Sequence, residues 1–210
     1  MYLKKVKIMI ITKQEFASRI INGCEKIKAH ESQLTEIDSL FGDADHGLTM
    51  VKISNAIIDA INSSEGSIKN MLEDIADAIM DLNGGSSVPL WNAYFDGMHK
   101  VAPESDELTL EQLKAIFTSG YKEFANISTA KIGDKTMMDA LILASTGLLN
   151  AENIDQLFEI AATEAAFGAE ATKNYVAKFG KAKSYGEKTL GTPDAGALSM
   201  SYFFEGMTEK

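Results

Sequence analysis

Thr12-Lys-Gln-Glu15-Phe16-Ala-Ser-Arg-Ile20-Ile-Asn-Gly-Cys24-Glu-Lys-Ile27 carries a start signal and a period. Thr12 and Glu15 have the spacing of a capping box, and Ile11 and Phe16 flank it as a hydrophobic staple. Phe16, Ile20, Cys24 and Ile27 then recur at intervals of four, four and three, which places them on one face of an amphipathic helix. The rhythm returns along the chain. Met50, Ile53, Ile57 and Ile61 repeat it, as do Ile68, Leu72, Ile75, Ile79 and Leu82. Trp91, Tyr94, Phe95 and Met98 mark another apolar face, and Thr109 with Gln112 caps a helix through Leu113, Phe117, Tyr121 and Phe124. Further helices are expected over 137–149, over a long Ala-rich 154–179, and over 195–207.

Alternating β-branched runs bounded by turns are almost absent, and the prolines are only Pro89, Pro103 and Pro193. No repeat or linker divides the chain. The expectation is one all-α domain over 12–210, a closed barrel or bundle of about eight antiparallel helices. Residues 1–11 read as a leader or extension, with 1–8 dispensable and Met9 an alternative start.

Composition narrows the partners. The chain has 210 residues, 45% apolar and 24% charged, with a formal charge of −10. That is ordinary globular usage, and its acidity disfavours nucleic acid or an anionic membrane. No apolar run reaches the ~18 residues needed to span a bilayer. A single cysteine, Cys24, excludes a disulfide framework and a multi-cysteine zinc site, so a cytoplasmic location is expected.

The polar, glycine-bearing stretches fall in the joints between helices, at 42–49, 83–87, 132–136 and 180–196. In an up-and-down bundle alternate joints share an end, so these four are expected to meet. Asp38-Ser-Leu-Phe-Gly-Asp43-Ala-Asp45-His46-Gly47 crowds three carboxylates around two glycines. Carboxylates that close repel unless a cation lies among them, and hard oxygen ligands suit Mg²⁺ or Ca²⁺. An EF-hand counted from Asp43 would need Gly and Glu where Leu48 and Ser54 stand, so that reading fails. An Asp-x-Asp phosphatase nucleophile competes, but it needs an apolar strand where Leu34, Ile37 and Phe41 have helical spacing. A solvated capping loop is the plain alternative.

Asn83-Gly84-Gly85-Ser86-Ser87 opens a helix at Val88-Pro89 and offers either an anion cradle or an ordinary joint. In Gly133-Asp134-Lys135-Thr136-Met137, Asp134 reads as the helix N-cap, and Lys135 as a phosphate partner or a surface lysine. The last joint gathers Lys181, Lys183 and Lys188, a basic loop able to close over phosphates or a solvated connector. His30 and His99 read as surface residues, whereas His46 stands between the acids and the next helix. Neither a Ser-His-Asp arrangement nor a Walker-type loop is present.

In order and spacing, Asp38-x4-Asp43-Ala-Asp45-His46-Gly47, Gly84-Gly85-Ser86-Ser87-x-Pro89, Gly133-Asp134-Lys135-Thr136-Met137-x-Asp139 and Asp194-Ala-Gly196 resemble the L-subunit family of dihydroxyacetone kinases. The resemblance runs from about residue 12 to 208. It implies a barrel of eight antiparallel helices with Mg-ADP at one end, Asp38, Asp43 and Asp45 as magnesium ligands, and His46, Gly47, Leu48, Thr49, Ser86, Ser87, Met137, Asp194, Ala195 and Gly196 at nucleotide-binding positions. It also implies a phosphohistidine donor protein of the sugar phosphotransferase system, and dihydroxyacetone held on a separate K subunit. Ser128 stands where that family has glycine, and Lys181 where it has arginine, which loses a bidentate contact to phosphate. Val88 and Ala195 also depart from its pattern. Met137 and Leu141 are expected to receive the adenine. The alternatives are a nucleotide-loaded module signalling to a regulator, and the Mg-dependent phosphatase.

Overall fold

The computed structural model describes residues 10–210. The expected leader residues 1–9 lie outside that range. Among the described residues nine α-helices follow one another: α1 (Lys13–Ala29), α2 (Glu31–Ser39), α3 (His46–Ser63), α4 (Ile68–Met80), α5 (Ser87–Val101), α6 (Leu110–Ile127), α7 (Met137–Gly147), α8 (Ile154–Ala171) and α9 (Ala195–Gly206). Three 3₁₀ segments, Leu148–Asn150, Thr172–Asn174 and Lys181–Thr189, lie between the later helices.

Eight helices form a closed ring. From α3 onward each packs on its successor as far as α9, and α9 packs back on α1, which itself packs on α3. The short α2 steps between α1 and α3 and leans on α9. Each helix turns its periodic apolar face inward. Phe16, Ile20, Cys24 and Ile27 of α1 are fully buried, as are Trp91, Tyr94 and Phe95 of α5. Trp91 meets Phe203 edge-on at 5.1 Å, and Phe117 of α6 meets Phe16 and Phe158 the same way. A fully buried side chain of this size contributes about 2–3 kcal/mol, so the aromatic interior is the main cohesive element. None of the helices is long and apolar enough to cross a membrane.

Neighbouring helices are antiparallel, because the joints sort into two ends. At one end Lys13 Nζ donates to the carbonyls of Ser64 and Gly66, and the amide of Ile68 donates to Ser105. There too Arg19 donates to the Met207 carbonyl and pairs with Asp155. The joints at the other end carry the motifs.

Three sequence expectations change. Ile10–Thr12 forms a strand, β1, antiparallel to β2 (Glu107–Thr109), with Ile11 opposite Leu108. Three-residue strands are too short to show alternation. Ile11, placed in the extension by its sequence, is 2% exposed and belongs to the core. The helix expected over 154–179 ends at Ala171. The carbonyl of Thr172, which a continuing α-helix would bond to residue 176, accepts instead the Tyr175 amide in a 3₁₀ turn at 3.1 Å and the Lys135 ammonium at 2.7 Å.

Candidate functional site

All four motif-bearing joints open onto one cavity of about 750 Å³ at one end of the barrel. Asp38 sits in the last turn of α2. Its Oδ2 accepts the amides of Asp45 at 3.1 Å and His46 at 3.3 Å, folding the next loop back over the helix end. Gly42 makes that return possible, since a Cβ there would lie 2.1 Å from Asp38 Oδ1. Ala44 adopts φ +61°, a left-handed value rare for a residue with a Cβ, and it sits between Asp43 and Asp45. One ligand oxygen from each of Asp38, Asp43 and Asp45 lies within 4.8 Å of the others. An all-carboxylate donor set in this geometry fits a hard divalent cation.

Lys181, from the joint before α9, reaches across to Asp43. Its hydrogen bond holds the Asp43 carboxyl below the usual range and the ammonium above its own. Both groups are exposed, so the pair adds little stability. Lys183 and Lys188 are exposed and do not line the cavity.

The cavity also takes in two helix N-termini without side-chain caps. Asp45 at α3 and Ser86 at α5 make no capping hydrogen bond, which leaves first-turn amides for an anion. Gly47 and Leu48 belong to that first turn of α3, although neither residue lines the cavity. Gly47 packs against α2, where a Cβ would come within 2.3 Å of the Glu31 carbonyl. Thr49, Ser86, Ser87, Ser128, Met137, Asp194, Ala195 and Gly196 all line the cavity.

His46 links three helices. Its Nε2 is 3.2 Å from Ser199 Oγ, and its Nδ1 is 3.4 Å from Ser87 Oγ. Ser199 already donates to the Gly196 carbonyl, so the network assigns the proton to Nε2 and makes Nδ1 the acceptor for Ser87. Burial pushes the imidazole pKa down while Asp38 and Asp45 pull it up. No carboxylate bonds the ring, in keeping with the absence of a triad.

The α6–α7 joint departs from its sequence reading. Asp134 does not cap α7. Thr136 does, in a capping box with Asp139, while Asp134 accepts the Lys131 amide and pairs with Lys178. Lys135 is neither a surface lysine nor free for phosphate: it is 5% exposed and donates to two backbone carbonyls. Leu141 is buried in the core and does not line the cavity, whereas Met137, Leu90 and Ile127 are among the apolar residues that do. Asp139 was missed as a structural acid, though Thr-x-x-Asp is a readable capping pattern.

Asp194 caps α9 through the Ala197 amide, and its own amide donates to Thr172 Oγ1. Although Asp194 is half-buried as a residue, its carboxyl is enclosed, and burial raises its pKa to about 7. The phosphatase reading fails because neither strand among the described residues leads into Asp43.

Fold and site together define a helical-barrel protein with a carboxylate cation site beside an anion-ready cavity. The DAK2 domain model matches residues 40–209, and the chain belongs to the DAK2-domain family. It is 30% identical to the PTS-dependent dihydroxyacetone kinase, ADP-binding subunit DhaL, of Lactococcus lactis subsp. lactis, over 88% of this chain and 91% of that protein. It is 27% identical to the dihydroxyacetone kinase of Komagataella pastoris, covering 92% of this chain but only 34% of the longer relative. The dihydroxyacetone kinase of C. freundii, solved with AMP-PNP and Mg²⁺, shares the fold at TM-score 0.73 and 23% identity, over 100% of this chain and 36% of that one.

Proposed function

We propose that this chain is the nucleotide-binding subunit of a phosphoenolpyruvate-dependent dihydroxyacetone kinase, working in the cytoplasm. When bound, Mg-ADP supplies the phosphoryl carrier between a phosphohistidine donor protein and dihydroxyacetone, or a related ketose, on a separate K subunit. The observation that carries this reading is the meeting of three carboxylates and two uncapped helix N-termini at one cavity.

Asp38, Asp43 and Asp45 hold the magnesium ion. The first-turn amides of α3, at Gly47 and Leu48, would serve as donors to phosphate oxygens, and Ser86 would add a hydroxyl. The Ser87 hydroxyl is committed to His46, so Ser87 contributes its backbone amide. Thr49, Ser128, Ala195 and Gly196 shape the cavity, and Met137 with Leu90 and Ile127 receives the adenine. Lys181 exchanges Asp43 for phosphate. Phosphoryl transfer needs positioning and charge neutralisation more than a protein nucleophile, so none is required of this site.

Two measurements test the reading. Mass spectrometry after gentle purification should find ADP bound together with magnesium. Reconstitution with K subunit, phosphorylated donor protein and dihydroxyacetone should yield dihydroxyacetone phosphate. Absence of both nucleotide and metal at micromolar concentrations overturns it. Binding to a partner without transfer would favour the regulatory module.

A further inference from the structure

Between α8 and α9 the chain makes a twenty-one-residue excursion from Thr172 to Thr192 that carries Lys178, Phe179, Lys181 and Tyr185 to the rim of the cavity. Its tip meets the first joint at two points, Lys181 on Asp43 and Tyr185 edge-on to Phe41 at 5.3 Å. The two threonines that bound the excursion are brought together by a residue from neither α8 nor α9. Lys135 Nζ donates to the carbonyl of Thr172 at 2.7 Å and to that of Thr192. Gly191 donates to the Lys173 carbonyl, and Asp194 to Thr172 Oγ1, so the neck is a compact hydrogen-bonded knot.

We propose that Lys135 is a positioning residue, whose ammonium clasps the neck of the strap spanning 173–191 and thereby sets where Lys181 and Phe179 stand over the cavity.

Three features make a lysine necessary there. The position is 5% exposed, and a buried ammonium is tolerated only where acceptors surround it. Here two carbonyls bond it, and the Asp194 and Asp139 carboxylates are the neighbouring charges. Its backbone φ of +62° is strained for a residue with a Cβ, a conformation kept only where surroundings enforce it. Finally, without Lys135 the Thr192 carbonyl loses its ammonium donor and the Thr172 carbonyl keeps only the Tyr175 amide at 3.1 Å. A neutral side chain of similar length would fill the space and leave the neck with only the Gly191 and Asp194 amide bonds to hold it. The clasp joins the α6–α7 joint to the α8–α9 joint, and Lys181 in turn joins the latter to the α2–α3 joint.

Lys135→Met is the test, in the full chain. Circular dichroism should retain the helical barrel. Hydrogen exchange should accelerate tenfold or more at amides within 173–191, with core amides of α1 and α5 unchanged. This arm stands whether or not the chain binds nucleotide. The second arm rests on the proposed function: Mg-ADP dissociation should speed by about tenfold with association little changed. A residue needed only for folding would lower the fraction that binds without altering that rate. Lys135→Gln, which keeps a donor for one of the carbonyls, should restore part of the protection, and it replaces Lys135→Met if that variant does not fold. Exchange that rises uniformly, or not at all, in the strap overturns the proposal. If wild-type protein binds no Mg-ADP, the functional reading fails, and the exchange pattern still decides the clasp.

Discussion

The two ends of the barrel treat the same backbone problem in opposite ways. Every α-helix begins with amides that have no intrahelical partner. At the end that holds the small sheet, side chains satisfy them throughout. Thr12, Ser67 and Thr109 form complete capping boxes for α1, α4 and α6, and Asn153 caps α8. At the cavity end α7 and α9 are capped, but α3 and α5 are not. Asp38 takes the His46 amide at α3 and the Gly85 carbonyl takes the Val88 amide at α5, while the remaining first-turn amides lie beside the cavity. Strain follows the same division. Ala44 and Lys135, the non-glycine residues with positive φ among those described, are both at the cavity end. One end is built to hold itself closed, the other to be completed by a ligand.

The largest test of that division is Asp43→Asn. It removes one of the three carboxylates proposed to hold magnesium, and magnesium-dependent ADP retention should fall by about 100-fold, measured by titration calorimetry, while the thermal midpoint without ligand moves little. A large loss of intrinsic stability instead would mean that the acid cluster is structural. At the closed end Arg19→Leu should do the reverse. Arg19 donates to the Met207 carbonyl at 2.7 Å and to Asp155 at 3.0 Å, and stacks over Phe158. Its loss should cost about 2–3 kcal/mol in chemical denaturation, with nucleotide affinity unchanged.

Asp194 sharpens the contrast through pH. Its folded pKa, about 7, lies above the ordinary value of 3.8. Between those values the folded state binds the proton and the unfolded state does not, so this group's contribution falls as pH rises from about 4 to 7 and is level above. Asn keeps the N-cap and lacks the titration. Metal-free Asp194→Asn should therefore gain stability relative to wild type across that window, as followed by thermal melts at a series of pH values. A constant difference would remove the buried-charge account. The smallest effect is Thr109→Ala, which should cost about 1 kcal/mol and leave Mg-ADP binding untouched. Weakened binding would show that the two ends are coupled.

Much of this molecule was readable beforehand, for reasons that are local. Capping boxes at Thr12 and Thr109 and the apolar spacing of α1, α4 and α6 depend on residues within a few turns of one another. The carboxylates were legible as a cluster because all three lie within eight residues. What was misread depended on distant partners. Lys135 has the same neighbours in sequence whether it points to solvent or into the neck, and only Thr172 and Thr192 decide between them. The early end of α8 has that cause as well. Gly47 stands in the motif of the acidic loop, and it is the close approach of α2, invisible to the local pattern, that excludes a side chain there. Asp134 lost the cap of α7 to Thr136, two residues on, a choice that the local pattern allowed either way.

Helix positions, the all-α class and the chemistry of the acidic loop were thus written in the order of residues, since hydrogen bonds and side-chain periodicity act over a few turns. Ring closure placed four separated joints around one cavity, aimed Lys135 inward and left two helix ends uncapped beside the carboxylates. Those outcomes required contacts between residues tens to more than a hundred positions apart, such as Lys181 with Asp43, and such contacts exist only once the helices have packed.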